Sequence, residues 1–77
     1  MEHRTQVVEG RWLVSTLRML FEHADLLYET AVFRWDAGAG EVADEEPVWL
    51  ARWPGPQEAE AGHHKVCADL SAGTLSV

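Results

Sequence analysis

RWLVSTLRMLFEHADLLYETAVFRW, residues 11–35, carries two competing hydrophobic patterns, and the choice between them decides the fold. Read at the helical period, Arg11, Ser15, Arg18, Glu22, Asp25 and Glu29 fall on one polar face, with Leu13, Leu17, Leu20, Ala24 and Leu27 opposite. Read at period two, Leu13, Leu17, Met19 and Phe21 share one side of a first strand. Tyr28, Thr30 and Val32 then alternate with Glu29, Ala31 and Phe33 in a second, around a polar connection at residues 22–25. Periodicity alone slightly favours the helix.

Upstream, residues 1–9 are polar apart from Val7 and Val8, and Gly10 interrupts them, which reads as a loosely held arm over residues 1–10 and a turn. Downstream, DAGAGEVADEEP at residues 36–47 reads as a mobile loop, followed by an apolar segment at residues 48–53. Residues 56–70 give the clearest helix signal: Pro56 suits the first turn, and Glu58 and Glu60 sit at the positive end of the dipole. Ala59, His63, Val66, Cys67 and Leu70 form one stripe, and Gly62 inside it marks a close approach of helix backbone to a neighbour. Residues 71–77 read as a mobile tail.

Several pieces of the chain resemble a group of small uncharacterised proteins encoded by phages and prophages. They are VSTL at residues 14–17, EH at 22–23, LYETAVF at 27–33 and EAEAGHHKV at 58–66, together about half the chain. The group has a VSTV-type strand, an Asp-His pair, a Gly- and Pro-containing loop, a FETMVF-type strand, an Arg-Tyr pair and a helix beginning EEALAGH. This chain departs from it in lacking a Gly/Pro loop between the first two segments and in having Arg52-Trp53 for Arg-Tyr. The resemblance implies strands over residues 11–35 and supplies no activity.

The expected fold is therefore one α+β domain over residues 1–77: a three-stranded antiparallel sheet from residues 12–21, 26–35 and 48–53, with the C-terminal helix on one face. The alternative is a mainly α chain with a long helix at residues 11–30. One helix covers one sheet face, and the strands are too apolar on both sides for full exposure of the other. Assembly is the expected consequence.

Thirteen Asp and Glu against six Lys and Arg give a charge of −7, which repels a phosphate backbone, so direct nucleic-acid binding is not expected. An acidic docking face or a DNA-mimicking inhibitor is the functional reading of that charge, and a solvated surface is the plain one. Cys67 is the only cysteine, which suits a reducing cytoplasm, that of the host cell if the protein is phage-encoded. No apolar run has signal-peptide or membrane-spanning length, so no membrane partner is expected.

His63 and Cys67 stand four apart, and His23 or Asp25 could add a ligand, but a structural zinc site needs four close ligands. Metal binding at His23, His63 and Cys67 is thus a minor reading, Cys67 serving better as a small buried hydrophobe. No serine or glycine motif of catalysis or phosphate binding occurs, and neither an enzyme nor a cofactor is expected. The four tryptophans are the unusual feature. Trp35, Trp49 and Trp53, with the acids Asp44, Glu45 and Glu46, form the expected partner-binding set. The reading that follows is a small acidic phage-type accessory protein that binds another protein. The alternatives are a structural or virion-associated homo-oligomer and a small His/Cys-dependent metal-binding protein.

Overall fold

The computed structural model describes residues 3–23 and 25–77, the side chains of residues 21–23 excepted. It is α+β: strands β1 (His3–Val8), β2 (Trp12–His23), β3 (Leu26–Asp36), β4 (Glu41–Val42) and β5 (Trp49–Trp53) are followed by one helix, α1 (Pro56–Ala72). All pairings are antiparallel, in the order β1-β2-β3, with β4 and β5 both on the far side of β3. The helical alternative for residues 11–30 is not formed. β-Branched and aromatic residues at alternating positions (Val14 and Thr16; Tyr28, Thr30 and Val32) suit a pleated surface. The register sets Val14 opposite Val32 and Thr16 opposite Thr30.

Three stretches differ from the sequence expectation. The supposed N-terminal arm is β1, a full edge strand paired with β2 through a tight turn in which Glu9 and Gly10 both have positive φ, 56° and 63°. Arg11 N–H closes that turn on the Val8 carbonyl at 3.1 Å, the type I′ geometry that matches strand twist. Part of the acidic connector is an ordered hairpin: Asp36 Oδ1 accepts the N–H groups of Gly38 and Ala39 at 3.0 and 3.1 Å before β4 pairs back onto β3. The sheet thus has five strands, not three.

The C-terminal tail is capped and folded back. Gly73 adopts a left-handed φ of 73°, its N–H meeting the Leu70 carbonyl at 3.3 Å, and Thr74 N–H meets the Asp69 carbonyl at 2.8 Å. That is a Schellman ending, and it returns Leu75 to the core. The core lies between α1 and one sheet face: Val8, Val14 and Val32 meet Val66, Cys67 and Leu70. The buried helix residues Ala59, Gly62, His63, Val66, Cys67 and Leu70 are the expected stripe. A Cβ at Gly62 would overlap the Trp53 ring, so glycine there lets helix and β5 touch. No helix among the described residues is long and apolar enough to cross a membrane.

Candidate functional site

Strand parity divides the sheet into two chemically different faces. Toward α1 stand the cross-strand rows Gln6–Val14–Val32–Trp49 and Arg4–Thr16–Thr30–Ala51. Through the second row runs a buried polar chain: Trp53 Nε1–H donates to Thr30 Oγ1 at 2.9 Å, Thr30 and Thr16 hydroxyls lie 2.6 Å apart, and Thr16 Oγ1 is 2.7 Å from His63 Nδ1. Thr16, Thr30 and His63 are all fully buried. Because indole N–H can only donate, a chain running Trp53 to Thr30 to Thr16 to His63 gives each hydroxyl one donated and one accepted bond. The ring proton then falls on Nε2, which is buried without a hydrogen-bond partner among the described residues.

Burial, then the nearby charges of Arg4 and His64, hold the His63 pKa below its ordinary value. The ring is therefore kept neutral. Burial likewise pushes the Cys67 thiol up, with Arg4 opposing in part. A neutral imidazole and an undissociated thiol, both sealed beneath α1, are arranged to lock helix to sheet and meet no substrate from solvent. Among the described residues, no three His, Cys, Asp or Glu side chains are grouped to hold a metal ion. The side chain of His23 lies outside the described residues.

The three tryptophans expected to form one partner patch are not brought together. Trp49 and Trp53 stand opposite Val32 and Tyr28, on the helix side, where they wall a cleft of about 210 Å³ with Val66 and Leu75. Parity explains this, since both belong to the rows that α1 covers. Trp35 has the opposite parity, near the end of β3, and lines a separate groove with Trp12, Arg11 and Arg34. Asp44, Glu45 and Glu46 are exposed in the connector between β4 and β5, where Glu46 N–H bonds Asp44 Oδ1 at 3.0 Å.

The face turned away from α1 carries three rows that the sequence reading did not single out as a site. They are Val7–Leu13–Phe33, Thr5–Ser15–Ala31–Leu50 and His3–Leu17–Glu29–Arg52. Val7, Leu17 and Leu50 are 43%, 37% and 42% exposed, far above core values, so this apolar surface meets solvent. Glu29 and Arg52 pair at 3.1 Å and cancel. Ala31 in the middle of these rows is buried, and Leu13 and Phe33 beside it are half-buried; α1 lies on the opposite face, and β1 extends the sheet edge. Alternation in β2 and β3 was the available signal, but it shows which residues share a side without showing which side α1 takes. Compared with family models, with curated proteins and with solved structures, the chain matches none.

Proposed function

We propose that the protein acts by binding another protein chain and not by catalysis, and that the open sheet face is the surface it uses. One observation carries this reading: exposed Val7, Leu17 and Leu50 lie with half-buried Leu13 and Phe33 on the sheet face opposite α1. Contiguous apolar surface of this kind marks interaction sites in small proteins. Sealing of His63 and Cys67 beneath the helix argues against a catalytic role for either. On the resemblance to phage and prophage proteins, the setting we infer is the cytoplasm of a host cell, where a single thiol stays reduced.

Site-specific photocrosslinking tests the proposal. A photoreactive residue at position 50 should yield a protein adduct in the natural host, and the same group at position 65, exposed on α1, should not. Equal adducts from both positions, or none from position 50, would remove the open face from consideration.

A further inference from the structure

We infer that the groove at the end of the β2–β3 ladder is a binding site for a small aromatic acid, one flat ring system bearing a single carboxylate. The groove lies beyond the open apolar rows, so this site stands or falls independently of the protein-binding reading of that face.

The chain contains three Arg-Trp dipeptides, at residues 11–12, 34–35 and 52–53. Antiparallel pairing sets Trp12 opposite Arg34 and bonds the Trp35 N–H to the Arg11 carbonyl at 2.9 Å, so the first two dipeptides lie side by side and run in opposite directions. With Ala43 they line a groove of about 300 Å³. The β4 hairpin brings Ala43 there, its N–H bonded to the Arg34 carbonyl at 2.9 Å. Trp12 packs against the core, and the Arg11 guanidinium stands 5.8 Å from the centre of its ring, so ring and cation are placed before any ligand arrives.

The third dipeptide shows what the other two lack. Arg52 pairs with Glu29 at 3.1 Å, and the Trp53 indole donates to Thr30 at 2.9 Å. Arg4 and Lys65 likewise face Glu60 and Asp69. Among the described residues, Arg11 and Arg34 meet no carboxylate, and the indoles of Trp12 and Trp35 make no hydrogen bond. Acids are not lacking nearby: Asp36 follows Trp35 and Asp44 follows Ala43. Their carboxylates are engaged in their own turns, Asp36 Oδ1 accepting from Gly38 and Ala39 and Asp44 Oδ1 from Glu46. Two exposed guanidinium groups and two half-buried indoles are thus left unsatisfied at one place.

Each feature fixes part of the ligand. Guanidinium forks bind a carboxylate through paired N–H donors, and an indole takes a flat ring against it. A volume of about 300 Å³, at the small end of ligand sites, suits one ring system. The chain's charge of −7, with Asp36 and Asp44 adjoining the groove, opposes ligands of higher negative charge, which favours a single carboxylate over a phosphate ester.

Titration of the full chain with 2-naphthoate, followed by NMR through the four indole N–H signals, tests the site. The Trp12 and Trp35 signals should shift saturably with a Kd of about 1 mM or tighter, while those of Trp49 and Trp53 stay in place. Arg11→Gln and Arg34→Gln should each weaken binding about tenfold. Arg18→Gln, at an exposed arginine outside the groove, should change it by less than about twofold. All three arginines are exposed, so the variants should keep the parent circular dichroism. Neutral 2-naphthamide, which needs no variant, should bind the parent at least about tenfold more weakly than the acid. Naphthamide binding as tightly as naphthoate, an equal loss from Arg18→Gln, shifts confined to Trp49 and Trp53, or no saturable shift would overturn the inference. Tighter binding of inorganic phosphate or adenosine monophosphate would overturn it too, since the groove would then prefer a doubly charged head. A tripeptide of two glycines and a C-terminal phenylalanine should bind no more tightly than 3-phenylpropionate; the reverse order would assign the groove to chain ends and remove the free acid as its ligand.

Discussion

Replacing Thr30 by Val should destabilise the fold far more than an almost isosteric change ordinarily does. Thr30 Oγ1 accepts from Trp53 Nε1 at 2.9 Å and bonds the Thr16 hydroxyl at 2.6 Å, in a position with no solvent exposure. Valine fills the space but offers neither bond, so the indole N–H and the Thr16 hydroxyl are each left one partner short. A buried polar group without a partner costs about 1–3 kcal/mol; half-buried Trp53 can recover some of this from water, so the total is about 2–4 kcal/mol. A domain of this size has roughly 4–12 kcal/mol of stability in all, at about 0.05–0.15 kcal/mol per residue. The variant should therefore lose about 8 °C or more in Tm. Urea denaturation monitored by tryptophan fluorescence and circular dichroism is the assay. Thr5→Val, on the exposed side of β1, serves as control and should stay within about 0.5 kcal/mol of the parent. If Thr30→Val also stays within that margin, the hydroxyl chain does not hold helix to sheet.

The depressed pKa of His63 means that the unfolded chain takes up its proton first. His63 should thus contribute full stability above its unfolded value near 6.5 and lose it as pH falls toward the folded value, with a slope of at most about 1.4 kcal/mol per pH unit. Denaturation midpoints across that range should show the slope in the parent and lack its His63 component in His63→Gln; parallel profiles would refute it. Gly62→Ala, which on helix propensity alone would gain about 1 kcal/mol, should instead destabilise by about 1–3 kcal/mol through collision with Trp53, measured by thermal melting. The parent should show no saturable binding to duplex DNA by fluorescence anisotropy even at low salt, as its −7 charge requires, and a salt-sensitive complex would overturn that expectation.

The fold was legible where two local signals agreed. In α1, Pro56, the early acids and the stripe from Ala59 to Leu70 pointed the same way, and even the close approach at Gly62 could be read from an otherwise unfavourable glycine. Strands β2 and β3 were legible only with the resemblance, because Leu13 and Leu17 satisfy a helical spacing as well as an extended one. β1 was missed because HRTQVV has a single buried position, Val8, and an edge strand with one covered residue gives no alternation to detect. The tryptophan site was misplaced for a different reason. Trp49 and Trp53 share one side of β5, but which side α1 covers depends on tertiary packing, here on Gly62 meeting Trp53.

Both faces mix polar and apolar residues. The covered face buries Thr16, Thr30 and His63 beside its valines, while the open face presents Val7, Leu13, Leu17, Phe33 and Leu50. A slip of one residue between β2 and β3 would turn β2 over, placing Leu13 and Leu17 beneath the helix and Val14 and Thr16 in solvent. On hydrophobic burial alone the slipped pairing has much to recommend it. What it loses is the chain from Trp53 to His63, which requires Thr16 opposite Thr30 and β5 in register with β3. The buried polar row therefore specifies register and accepts a less apolar core in return. Its corollary is that the leucines are held on the outer face by the same bonds, so the apolar binding surface is a consequence of the register that the threonine pair enforces. Thr30→Val should accordingly perturb the open face as well as the core, and photocrosslinking from position 50 should weaken in that variant although none of the open-face residues has changed.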